Sequence, residues 1–105
     1  MNLTPAVQAN VAVRVTFMGG LHAVTGQREL QMTFPQGATV ADLLASLSKR
    51  YGDAFTCRVF SSPGKLEHTI LIFVDGEHIK GRGGLAATLG NSEVEVIMLP
   101  MYAGG

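Results

Sequence analysis

Three histidines, one cysteine, a glycine-rich loop and a terminal pair of glycines are the places where this chain could do chemistry. His22, His68 and His78 read as loop or strand-end residues with no ligand-like spacing to one another or to Cys57. A metal site needs convergent ligands, so none is expected here. Cys57 would need a base and an electropositive setting to act as a nucleophile. Arg58 is adjacent, but a half-buried spare thiol is the preferred reading. Lys80-Gly81-Arg82-Gly83-Gly84 has the glycine content of a phosphate-binding loop. It lacks the strand–loop–helix context and the Lys-Ser/Thr ending, so it reads as a flexible connection. There remains the end of the chain, Leu99-Pro100-Met101-Tyr102-Ala103-Gly104-Gly105, in which no side chain is charged. Its terminal carboxylate is then the one ionised group, and Gly105 is expected to be the reactive residue. Gly104, Ala103 and Tyr102 form the slender segment that could enter a neighbour's active site. Glycines lack a Cβ and so fit a narrow channel, and the six residues beyond Leu99 span at most roughly 20 Å when extended. A carboxylate is a poor electrophile and would need activation, for instance as an acyl-adenylate. The competing reading is a frayed chain end.

A reactive tail needs a rigid mount, and the periodicities supply one. Val11, Val13, Val15 and Phe17 alternate with Ala12, Arg14, Thr16 and Met18, the period of a half-buried strand. Leu30, Met32 and Phe34 alternate with Glu29, Gln31 and Thr33 in a second strand, joined to the first by a loop bounded by Gly19-Gly20 and Thr25-Gly26. Thr39-Val40-Ala41-Asp42 has the capping-box form and opens a helix. Val40, Leu43, Leu44, Leu47 and Tyr51 make one apolar stripe on it, and Lys49, Arg50 and Gly52 close it. Asp53 to His68 has weak periodicity, with Phe55, Val59 and Phe60 as anchors and a Ser61-Ser62-Pro63-Gly64 turn. Thr69 to Val74 is an apolar run that fits a central strand, Asp75-Gly76 is a turn, and Glu77-His78-Ile79 returns briefly beside it. Leu85 to Leu89 reads as one short helical turn, and Glu93 to Leu99 as the last strand.

The expected fold is therefore α+β: a β-grasp, or ubiquitin-like, mixed sheet of four to five strands covered on one face by one main helix. The expected organisation is a flexible extension over 1–10, the domain over 11–99 and a flexible tail over 100–105. If Val94, Val96 and Met98 face the helix, Glu95, Ile97 and Leu99 face outward, and Leu71 and Phe73 lie beside them. Phe73, Leu71, Ile97 and Leu99 then form a face with an apolar middle and a polar edge, the composition of a docking site. A register slip of one residue would exchange the two faces.

Composition narrows the classes. With 105 residues, 47% of them hydrophobic and 15% charged, the chain can bury a modest core and is not of disordered type. Net charge is zero and the Lys and Arg residues are scattered, so no nucleic-acid partner is expected. A single cysteine fits a reducing cytoplasm. Met1 to Val13 holds no Lys or Arg and no membrane-length apolar run follows, so neither a signal peptide nor a membrane partner is expected.

Phe17 and Leu21 before Gly26, the run Pro35-Gln36-Gly37-Ala38-Thr39-Val40-Ala41-Asp42-Leu43-Leu44, Val74-Asp75-Gly76-Glu77 and the Gly-Gly ending together have a recognisable pattern. From about Val11 to Gly105 the chain resembles the ThiS/MoaD-type family of ubiquitin-like sulfur-carrier proteins. Ser61-Ser62-Pro63-Gly64-Lys65-Leu66 and Gly83-Gly84-Leu85-Ala86-Ala87-Thr88-Leu89 look most like the branch that feeds cysteine biosynthesis. The insert at Asp53 to His68 favours that branch over the shorter thiamin carriers. Met101-Tyr102 departs from the smaller residues usual at that point of the tail. The resemblance implies an E1-like enzyme that uses ATP to adenylate the Gly105 carboxylate, and a sulfur donor that converts it to a thiocarboxylate. It further implies a sulfur-accepting synthase, pyridoxal-phosphate-dependent in the cysteine branch, and a metalloprotease that releases the product. No cofactor is expected on this chain itself; it would be a carrier rather than an enzyme. The alternatives with the same tail are a molybdopterin synthase small subunit and a ubiquitin-like modifier conjugated through Gly105.

Overall fold

The computed structural model describes residues 10–90 and 92–101. In chain order its elements are β1 (Asn10–Phe17), α1 (Gly20–Thr25), β2 (Glu29–Pro35), α2 (Val40–Tyr51) and α3 (Asp53–Val59). There follow β3 (Phe60–Ser62), β4 (Lys65–Leu66), β5 (Ile70–Val74), β6 (Glu77–His78), two 3-10 turns (Ile79–Arg82 and Gly84–Ala86) and β7 (Glu93–Pro100).

Alternation of side chains decides the sheet. Val11, Val13, Val15 and Phe17 of β1 point one way and are buried. They meet β2 antiparallel, with Val13 opposite Met32 and Val15 opposite Leu30. On its other side β1 meets β7 in parallel, with Val13 opposite Val94, Val15 opposite Val96 and Phe17 opposite Met98. The sheet order is β2-β1-β7-β5-β6, so the first and last strands lie side by side at its centre. This is the mixed five-stranded β-grasp sheet.

The inner face is covered by α2. Its first turn is fixed by the capping box: the Asp42 N–H donates to Thr39 Oγ1 at 3.2 Å, and the Thr39 N–H donates to Asp42 Oδ2 at 2.9 Å. Val40, Leu43, Leu44 and Leu47 are fully buried against the strands. Each contributes roughly 1.5–3 kcal/mol of transfer free energy.

Several local expectations are corrected. The stretch 21–25 is not a loop but the helix α1, anchored by buried Leu21 and ended by Gly26 at φ 74°, whose N–H donates to the His22 carbonyl. The weakly patterned segment after α2 holds α3 and a separate β3–β4 hairpin, so the described residues form three α-helices and a second, two-stranded sheet. Gly52 at φ 79° breaks the helical path between α2 and α3. Phe55 and Val59 of α3 are buried one turn apart, which leaves Cys57 on the opposite side, exposed rather than half-buried. Lys80 to Arg82 belongs to a 3-10 turn whose first residue, Ile79, is buried, and the later short turn covers only Gly84–Ala86. Asn10 and Pro100 both lie within strands, one residue beyond the expected domain limits at each end.

Because α2 is held by its stripe more than by its cap, Leu44→Ala is expected to destabilise the domain by about 2–5 kcal/mol. Thr39→Ala is expected to cost about 1 kcal/mol. Urea denaturation midpoints measure both, and a larger loss from the cap than from the stripe would contradict this ranking.

Candidate functional site

Everything that bears on the tail converges at the end of β7. Pro100 is its last residue and has no N–H to offer a neighbour. No β1 residue needs one, because the β1–β7 register ends at Phe17 opposite Met98. On that side the Met18 N–H donates to the Met98 carbonyl at 3.0 Å, and the chain turns away through Gly19. Gly19 has φ +57°, and a Cβ there would sit 3.4 Å from the Pro100 ring. The positive φ calls for glycine, and the proline ring lies in ordinary contact range of the turn.

On the other side Ile70 of β5 lies opposite Pro100, and the Met101 N–H donates to the Thr69 carbonyl at 2.5 Å. Thr69 is itself braced. Its N–H and hydroxyl both donate to the Glu67 carboxylate, at 3.4 and 3.2 Å. His68 Nδ1 lies 3.2 Å from the same oxygen. The root of the tail is thus held from the β1 side as far as Met98 and from the β5 side as far as Met101. Tyr102, Ala103, Gly104 and Gly105 lie outside the described residues, as do residues 1–9 of the expected N-terminal extension.

The sheet face turned away from α2 carries the other sequence-derived residues. One cross-strand row runs Thr16, Ile97, Phe73 and His78, and the next places Leu99 opposite Leu71. Phe73 and His78 meet edge to face, with centroids 5.2 Å apart. Ile97, Leu99, Leu71 and Phe73 are all half-buried, in contrast to the fully buried set on the inner face. Met18 (42% exposed) and Met101 (50%) extend this apolar strip to the root of the tail. The polar edge is Arg14, which reaches Glu95 at 3.7 Å and Glu29 at 3.9 Å. These are exposed pairs that contribute little to stability. The structure therefore brings Phe73, Leu71, Ile97 and Leu99 together on one outward face that leads to the tail.

The histidines stay apart: His22 is in α1, His68 pairs with Glu67 and His78 packs on Phe73. Among the described residues no group of three His, Cys, Asp or Glu side chains could hold a metal. Nor is any helix among them long and apolar enough to cross a membrane. Sequence reasoning missed Gly19, Glu67 and Thr69. Gly19 could be read only as a strand end, and Thr69 acts through its main-chain carbonyl, which leaves no residue-type signal.

Comparison with known proteins follows the same geometry. The ThiS family model matches residues 15–105. The sulfur carrier protein CysO of Mycobacterium tuberculosis is 38% identical over 72 residues, covering 66% of this chain and 70% of that protein. The crystal structure of SAMP1 from Haloferax volcanii superposes with a TM-score of 0.75 at 26% identity, over 90% of this chain and 99% of that one. A chain of the Amycolatopsis orientalis BexX/CysO complex superposes at 0.71 with 26% identity, over 90% of this chain and 100% of its own length.

If the Glu67–Thr69 brace holds the root of the tail, Glu67→Ala is expected to lower hydrogen-exchange protection at the Met101 amide about tenfold while central β1 amides keep theirs. Unchanged protection at Met101 would show that the brace is idle.

Proposed function

From the premise that the chain belongs to the ThiS family, we propose that it carries sulfur as a C-terminal thiocarboxylate on Gly105. The observation that carries this reading is that the family match runs through residue 105, so the two glycines lie inside the matched segment. The mount suits a carrier, since a central strand delivers the tail and an apolar face beside it offers a partner somewhere to dock.

The chemistry divides between chains. An E1-like enzyme binds ATP and the carrier, and a Gly105 carboxylate oxygen attacks the α-phosphorus and releases pyrophosphate. A sulfide-equivalent nucleophile then attacks the acyl carbon of the adenylate, AMP leaves, and the thiocarboxylate remains. A sulfur-accepting synthase uses that sulfur as a nucleophile. The CysO likeness supports an acceptor on the way to cysteine or a related sulfur amino acid, with pyridoxal phosphate and a product-releasing metalloprotease belonging to partners. This chain contributes the carboxylate, the tail and the docking face, and supplies no cofactor of its own. Glycine at 104 lets the tail take a narrow, extended path into each partner.

A second reading has its own support. The similarity to SAMP1 over nearly all of that chain favours a modifier that forms isopeptide bonds through the same Gly105 carboxylate.

Incubation with the E1-like enzyme, ATP and sulfide separates the two when followed by intact-mass analysis. A gain equal to the exchange of one oxygen for sulfur is expected, lost when Gly105 is deleted. Lysine conjugates without any thiocarboxylate would favour the modifier. Phe73 lies at the middle of the docking face, so Phe73→Ala is expected to weaken productive binding by on the order of tenfold, with far-UV circular dichroism unchanged. Activation at the wild-type KM would remove that face from the interface.

A further inference from the structure

One cation lies beside the glycine pair at the root of the tail. Arg58, in the last turn of α3, places Nη1 3.1 Å and Cζ 3.9 Å from where a Cβ on Gly20 would lie. A Cβ at position 20 would require the guanidinium to give by a few tenths of an ångström. Gly19, next in the chain, is the residue that touches Pro100. Two consecutive glycines thus place Arg58 near the exit of the tail: one makes the turn beside Pro100, the other lies against the guanidinium.

Arg58 is exposed, and among the described residues it makes no hydrogen bond or ion pair. Arg14 is held by Glu29 and Glu95, Arg82 by Glu77, and Arg50 lies over the Tyr51 ring. Arg28, just before β2, is exposed and likewise has no side-chain partner among the described residues, but it does not adjoin the Gly19–Gly20 pair. On the helix of Arg58 the one acid is Asp53, in the first turn, and Glu67 is brought close to α3 by its N–H, which donates to the Val59 carbonyl. The Glu67 carboxylate is already engaged by Thr69 and His68.

We propose that Arg58 is a specificity-determining contact for the activating enzyme, its guanidinium pairing with a carboxylate on the rim of the channel that receives the tail. This rests on the carrier reading. Reach decides for a carboxylate over a phosphate. Met101 to Gly105 spans about 17 Å when extended, so the nucleotide phosphates that meet Gly105 lie far beyond Arg58 once the tail is threaded. What meets the root of the tail is the surface around the channel's mouth. A planar guanidinium with paired donors matches a carboxylate in a way an ammonium does not. A cation that served only the C-terminal end of α3 would affect stability and nothing else.

The test measures pyrophosphate release by the E1-like enzyme against concentration of the full chain, at low and high salt. Arg58→Gln is expected to raise KM about tenfold with little change in kcat. Arg58→Glu should raise it further, and Arg58→Lys should recover part of the loss. Lys65→Gln, an exposed charge removal on the β3–β4 hairpin, should match wild type. Added salt should raise the wild-type KM more than that of Arg58→Gln. An unchanged KM in Arg58→Glu, or a loss confined to melting temperature, overturns the assignment alone. A KM lower than wild type in Arg58→Glu also overturns it, marking a self-contact with the chain's own terminal carboxylate. A wild-type chain that elicits no pyrophosphate release overturns the carrier reading together with this assignment.

Discussion

The parallel pairing of β1 with β7 is the constraint on which the rest of the molecule depends. Both strands are central, and each buries every second side chain against α2. A slip of one residue would carry Val94, Val96 and Met98 to solvent and Glu95 into the core, so the register is firmly set. Parallel neighbours cannot be joined by a tight turn. All the intervening chain is therefore the crossover, and α2 is the part of it that seals the inner face. The last strand inherits this rigidity, and so does the point at which the tail departs.

From that constraint the division of labour follows. The inner face has only to exclude water, which it does with aliphatic and aromatic side chains buried almost completely. The outer face is free to be moderately apolar, with Phe73, Ile97, Leu71 and Leu99 half-covered by one another and leading toward Met18 and Met101. At the root, strand pairing is extended by one main-chain bond from Met101 to Thr69. Pro100 and the Gly19 turn leave β1 no further rung to offer. On the proposed function, a chain built this way would present a carboxylate and leave the activating chemistry to other proteins.

Much of this was legible in residue order, and the reasons are physical. Period-two alternation in β1, β2 and β7 is imposed by a sheet with one buried face. It identified both the strands and the side each residue occupies. The Thr39–Asp42 box and the Val40, Leu43, Leu44, Leu47 stripe located α2 because a long helix repeats its pattern several times. Short elements do not. In α1 the buried residues are Leu21 and Thr25, and in α3 Phe55 and Val59. One pair a single turn apart cannot be told from chance spacing. Cys57 was misplaced for that reason, since its side of α3 follows only once the helix is known. The brace at Thr69 and the approach of Arg58 to Gly20 depend on contacts between distant segments. Neither leaves a periodic trace.

The central claim is that an oxygen of the Gly105 carboxylate attacks ATP. Labelling that carboxylate with oxygen-18 and measuring the mass of the AMP released during sulfur loading tests it most directly. AMP carrying one labelled oxygen on its phosphate is expected, transferred when sulfur displaces the adenylate. Unlabelled AMP from a fully labelled carrier would contradict it.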